Sequence, residues 1–116
     1  MHELAVTTSI LDLALQHAKK APITDVHLVI GQLSSVMDDS VQFYWDIISQ
    51  DTAAEGSQLH FRRIPAEFQC QKCHARYPLR GEDFTCPVCQ STEVSIVAGE
   101  EFYLEAIDVD EKESIR

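Results

Sequence analysis

The chain has 116 residues, 45% of them hydrophobic, and a formal net charge of −10. That length fits one ordinary domain, or one small domain carrying a smaller one, and the apolar content excludes wholesale disorder. The charge argues against nucleic-acid contact, which rests on Lys and Arg, and no apolar run approaches the roughly 20 residues that span a bilayer.

In chain order, residues 4–20 are predicted as an amphipathic helix. Val6, Ile10 and Leu13, with Leu11, Ala14, Leu15 and Ala18, recur at three- and four-residue steps. Lys19 and Lys20 suit its C-terminal dipole and Pro22 stops it. Residues 25–31 read as a strand with Val26, Leu28 and Ile30 on one face and His27 on the other, ending at Gly31. A loop over 34–40 carries helix-capping residues, and a second helix follows over about 40–50 with Val41, Tyr44, Trp45 and Ile48 as its apolar stripe. Tyr44 and Trp45 therefore read as core. After a polar turn around Gly56, Gln58–Ile64 alternates as a strand, and a last strand spans 101–109 before a polar tail.

Between these strands lie Cys70-Gln71-Lys72-Cys73 and Cys86-Pro87-Val88-Cys89, the only cysteines in the chain, spaced C-x2-C-x12-C-x2-C. Each pair can turn two thiolates toward one point, and two such knuckles supply the tetrahedral four-sulfur set that zinc accepts. Iron fits the same tetrahedron chemically. Paired CxxC motifs behind a start with no signal-peptide features fit a reducing compartment, the cytoplasm, better than disulfides. His74, next to Cys73, reads as an exposed side chain or a hydrogen-bond donor to the metal ligands, ahead of a substitute ligand.

The expected class is α+β: two helices packed on a three-stranded sheet, with an inserted four-cysteine zinc-ribbon module. The strands on either side of the module are expected to pair in one sheet. The divisions are 1–65 and 98–116 for the α/β domain and 66–97 for the module. At about 32 residues the module is too short to fold without its metal, with Phe68, Tyr77, Leu79 and Phe84 as a small supporting core.

A second candidate site is the start of the chain. The terminal amine, the first backbone nitrogens and the His2 imidazole can line a flat, nitrogen-rich site suited to Ni(II) or Cu(II), with the Glu3 carboxylate beside it. Met1-His2-Glu3-Leu4, Leu28-Val29-Ile30-Gly31-Gln32-Leu33-Ser34, Ala54-Glu55-Gly56, the two knuckles and Gly99-Glu100-Glu101 occur in one order along nearly the whole chain. Together they resemble the HypA/HybF family of hydrogenase nickel incorporation proteins. The resemblance implies a nickel metallochaperone, not an enzyme. It implies structural Zn(II) on Cys70, Cys73, Cys86 and Cys89, and transient Ni(II) on His2 with Glu3 contributing. It further implies a HypB-type GTPase partner and delivery to the large subunit of a nickel-iron hydrogenase, with urease maturation as a second destination. An acidic residue ahead of the second helix approaches nickel in the family. Asp38 and Asp39 occupy that neighbourhood here, where helix capping and dipole compensation explain them as well. Neither nucleic acid nor membrane is an expected partner. The competing reading is an acidic zinc-ribbon interaction module in transcription or translation. His27 and His60 read as exposed sheet residues, and His17, on the first helix, is open to solvation or to contact with a partner.

Overall fold

The computed structural model describes residues 3–79 and 83–110. The chain forms two compact units, one of residues 1–29, 35–62 and 102–116, the other of residues 30–34 and 63–101.

The first unit opens with α1 (Glu3–Ala18), which buries Thr7, Ile10, Leu11, Ala14 and Ala18. The polar run Thr7-Thr8-Ser9 is compatible with a helix because each hydroxyl donates back one turn, to the carbonyls of Glu3 (2.6 Å), Leu4 (2.8 Å) and Ala5 (3.2 Å). The helix stops two residues before the predicted end. Lys19 (φ 51°) and Lys20 (φ 75°) adopt left-handed backbone, and the Ala21 N–H closes the turn on the Ala18 carbonyl at 3.0 Å. Pro22 keeps the helix from resuming, since it disfavours helical backbone at Ala21, the residue before it. The lysines therefore make the turn rather than extend the helix.

β1 (Ile23–Gly31) starts earlier than its alternation suggests, because buried Ile23 is tied to the polar turn by its N–H to the Ala53 carbonyl at 2.7 Å. α2 (Asp38–Ile48) begins two residues ahead of expectation. Its cap is Met37, extended and without a side-chain cap bond, and Asp38 and Asp39 fill the first turn. Trp45 is fully buried, and its Nε1–H donates to Ser57 Oγ at 2.9 Å, which pins α2 to the turn after it. Tyr44 is half-buried. α1 packs on α2 and on the last strand, β6 (Phe102–Val109).

The sheet of this unit has the order β2-β1-β6, with β2 spanning Gln58–Ile64. The expected direct pairing of the strands flanking the cysteine segment is thus corrected: both belong to one sheet, but β1 lies between them. β1 takes the centre because it is the most apolar strand. Val26, Leu28 and Val29 are fully buried, whereas its neighbours carry His60, Arg62, Glu105 and Asp108.

In the second unit, β3 (Glu67–Cys70) is the central strand between β4 (Arg76–Pro78) and β5 (Val94–Ala98), antiparallel to both. Phe68, Cys70, Tyr77 and Cys86 form its core, with Leu33, Ala75, Leu79 and Val94 packed against it. Phe84 remains half-exposed but meets Phe68 edge-on, ring centres 5.4 Å apart.

Residues 31–33 are laced between two other segments of this unit. The Gly31 N–H donates to Glu101 O (2.7 Å), Gln32 N–H to Ile64 O (2.9 Å) and Leu33 N–H to Gly99 O (2.6 Å), while Gln32 Oε1 accepts from the Ala66 N–H at 2.7 Å. A Cβ on Gly31 would lie 2.1 Å from the Gly99 carbonyl oxygen, so two main chains touch where only glycine fits. Gly31→Ala is expected to destabilise this unit by about 3 kcal/mol or more. Gly56→Ala is the control: Gly56 has φ +79° with nothing near its absent Cβ, so only a backbone cost of about 1–2 kcal/mol applies. Amide exchange of β3 and β5 in both variants reads the difference, and equal protection would contradict the close-contact account.

Candidate metal centres

The two knuckles repeat one hydrogen-bond pattern. The Cys70 N–H donates to Ala75 O (2.9 Å) and the His74 N–H to Cys70 O (3.0 Å); the Cys86 N–H donates to Ser91 O (3.0 Å) and the Gln90 N–H to Cys86 O (2.9 Å). The Lys72 and Val88 N–H groups donate to Cys70 Sγ and Cys86 Sγ, each at 3.4 Å. Each knuckle closes on a left-handed residue, His74 (φ 65°) or Gln90 (φ 62°). His74 is exposed, and its part in the site is this backbone turn. The reading of His74 as a side chain alone missed that role. The signal was its position directly after the second cysteine, repeated by Gln90.

These turns bring all four sulfurs within 4.8 Å of one another. The contacts across the knuckles are Cys70 to Cys89 at 3.5 Å and Cys73 to Cys86 at 3.6 Å. A tetrahedral ion with metal–sulfur bonds of about 2.3 Å needs sulfurs about 3.8 Å apart, so the donor set fits such an ion closely. Cys70 and Cys86 are buried in the Phe68–Tyr77 core, and Cys73 and Cys89 face solvent. The Tyr77 hydroxyl donates to the Phe84 carbonyl at 2.6 Å, fixing the chain just before the second knuckle.

Charge explains why the cluster wants a cation. The Cys73 N–H, opposed by burial and aided by the Lys72 N–H, draws the Cys70 thiol down to about 6. At Cys73 the Ala75 N–H pulls downward, but burial and the sulfurs of Cys86, Cys70 and Cys89 prevail and push the thiol up to about 12. Cys86 is lowered, first by the Cys89 N–H; at Cys89 the Ser91 N–H pulls downward, but the Cys70 sulfur, burial and Cys86 together raise the thiol. Although Cys73 and Cys89 are exposed as residues, their sulfurs lie among the others, and one thiolate in each cross-knuckle pair holds the proton on its neighbour. A bound divalent cation removes that conflict and lets all four ionise.

Of the expected nickel residues, His2 lies outside the described residues. Glu3 opens α1 and is half-buried. Asp38 and Asp39 sit together in the first turn of α2, where the Asp39 N–H donates to Asp38 Oδ1 at 3.0 Å and both charges complement the helix dipole. His17 is exposed on α1. His27 and His60 stand on adjacent strands, each bonded to a carboxylate and stacked on the other, an association that strand alternation alone does not reveal.

The family described as "Hydrogenase/urease nickel incorporation, metallochaperone, hypA" matches residues 1–109. A hydrogenase maturation factor HypA from Dehalococcoides mccartyi is 42% identical over 115 residues, 97% of each chain. One from Caldanaerobacter subterraneus subsp. tengcongensis is 40% identical over 114 residues, 95% of this chain and all of that one. The solution structure of the Ni metallochaperone HypA from Helicobacter pylori shares the fold with a TM-score of 0.66 at 24% identity, covering 94% of this chain and 97% of that one. A match to the family over residues 1–109 and relatives at 40–42% identity, on a chain whose four cysteines converge on one point, make this protein a member of the HypA family of nickel-incorporation metallochaperones that act in hydrogenase maturation.

Proposed function

We propose that the chain carries Ni(II) at its amino terminus and releases it to a HypB-type GTPase and the large subunit of a nickel-iron hydrogenase, with urease as a second destination. The family match over residues 1–109 is the observation that carries this reading, and it favours a carrier over a zinc-ribbon interaction module. The work of the chain is binding and release, with no bond made or broken in a substrate, and the cytoplasm is its place of action. Among the described residues no helix is long and apolar enough to cross a membrane.

Zn(II) is the ion assigned to Cys70, Cys73, Cys86 and Cys89. Four thiolates fill its coordination sphere and leave no position for water or substrate, so its contribution there is structural. The backbone N–H groups of Lys72, Cys73 and Val88 hold the sulfur charge of Cys70 and Cys86, while the Phe68–Tyr77 core keeps both knuckles facing one another. Nickel, the cargo, is assigned to the His2 imidazole, the neighbouring main-chain nitrogens and Glu3, with Asp38 and Asp39 as candidates for an added carboxylate. Nitrogen donors in a flat array suit Ni(II) and do not suit a tightly closed tetrahedral site.

Nickel titrations of the native-start protein and of a version extended by a few residues before Met1 test this reading at pH 7.5 and pH 6. An α-amine and an imidazole ordinarily titrate at about 7.7–8.0 and about 6.5, and both must lose protons to ligate. Affinity should fall on acidification and on extension, while zinc content stays constant. Equal, pH-independent nickel affinity in the two proteins would rule the amino-terminal site out.

A further inference from the structure

The face of the β2-β1-β6 sheet that carries His27 and His60 holds a cluster the nickel-carrier reading does not use. His27 Nε2 lies 2.8 Å from Asp108 Oδ2, and His60 Nε2 lies 2.8 Å from Asp25 Oδ1. The two imidazoles stack with centres 4.9 Å apart and planes 18° apart. Asp25 and His27 come from β1, His60 from β2 and Asp108 from β6, so all three strands contribute. We propose that His27 and His60, with Asp25 and Asp108, form a second, weak binding site for a divalent late transition-metal ion on the open face of this sheet.

Two imidazoles and two carboxylates are the donor set such ions accept, and the two carboxylates balance the ion's charge. The ring spacing suits a shared ion. An ion about 2.0–2.1 Å from one nitrogen of each ring lies about 3.2 Å from each ring centre, and centres 4.9 Å apart then subtend about 100°, between the octahedral and tetrahedral angles. The planes open from 18° by rotation about Cβ–Cγ, a soft torsion. The rotation trades the stack and the two His–Asp bonds for ligation, in side chains with room to move: the histidines are 37% and 50% exposed and Asp108 is 59% exposed. Each carboxylate already fixes one ring nitrogen, as carboxylates hydrogen-bonded to metal-bound histidines do, and can instead ligate directly. The nearby guanidinium of Arg62 is occupied by Glu105, through bonds of 2.6 and 3.2 Å, which limits its repulsion of a cation. The net charge of −10 favours any cation's approach. Among the described residues only the four cysteines hold three or more donor atoms within 4.8 Å, so this site closes around its ion and is weaker than theirs. The competing account is that the two His–Asp pairs only stitch neighbouring strands together.

The test uses the full chain with zinc bound and His2→Ala to silence the amino terminus, titrated with Ni(II) at pH 7.5. One weak equivalent of nickel should remain, with paramagnetic broadening centred on residues 25–27, 60 and 108. Adding His27→Gln and His60→Gln should remove that equivalent and the broadening. Asp25→Asn with Asp108→Asn, which keeps shape and loses charge, should weaken it about tenfold or more. A thermal melt of each variant separates loss of the site from loss of the fold. No nickel uptake by His2→Ala, uptake that survives the histidine pair, or affinity unchanged by the aspartate pair, each in a folded protein, would overturn the proposal. Failure of the amino-terminal reading registers separately, as full wild-type nickel affinity in His2→Ala.

Discussion

Cys70→Ser or Cys86→Ser is expected to release the metal and unfold residues 66–97. Both sulfurs are buried in the core of the second unit, and each accepts a knuckle N–H that a serine oxygen, on a shorter bond to Cβ, leaves poorly satisfied. The lost thiolate is the larger part of the effect. Removal of outer-shell partners alone typically costs 10–100-fold in metal affinity, so loss of a direct ligand should exceed about 100-fold. Cys73→Ser and Cys89→Ser should also release metal, with less damage to the apolar core because both residues are exposed. The first unit should keep its structure, since its core of Trp45, Val41, Val26, Leu28 and Val29 contains no cysteine. Zinc per chain by elemental analysis and amide exchange over β3 and β5 measure both halves of this expectation. Stoichiometric zinc with unchanged protection in Cys70→Ser would refute it.

The knuckles were the most legible part of the sequence because metal ligation depends on residue type and short spacing, and both are local. The helices and strands were also legible, since a buried stripe such as Val41-Trp45 has to repeat at the helical period. Three features were not. Lys19 and Lys20 look like a favourable helix end, and only the geometry demanded by Pro22 and the start of β1 places them in left-handed backbone. The two strands flanking the cysteine segment share a sheet as expected but are not direct partners, because sequence proximity says nothing about which strand is apolar enough to occupy the sheet centre; the burial of β1 decides it. The Gly31–Gly99 contact joins positions 68 residues apart in number (99 − 31). No local pattern announces a crossing of two main chains, although glycine at both positions is the mark it leaves. The stacked His27 and His60 belong to the same category, since their association depends on β1 and β2 being neighbours.

His2→Ala is expected to abolish nickel binding at the amino terminus while leaving zinc content and the melting temperature unchanged. α1 begins at Glu3, and the residues it buries start at Thr7, so stability of the helix layer draws on side chains well past the substitution. Nickel, by contrast, would lose the imidazole that completes a chelate with the terminal nitrogens, and a chelate that loses its anchoring ring loses most of its affinity. Glu3→Gln should weaken nickel less, because its amide nitrogen remains in place and only a carboxylate disappears. Asp38→Asn and Asp39→Asn distinguish the two roles open to those residues. If they serve only the dipole of α2, each substitution lowers stability by about 0.3–1 kcal/mol and leaves nickel affinity untouched. If one of them reaches the cargo, that variant alone loses affinity, with the same small change in stability. Isothermal titration with Ni(II), paired with a thermal melt of every variant, reads these outcomes side by side. A His2→Ala protein that binds nickel as tightly as wild type would place the cargo site away from the start of the chain, and one that melts earlier would contradict the separation of site from fold.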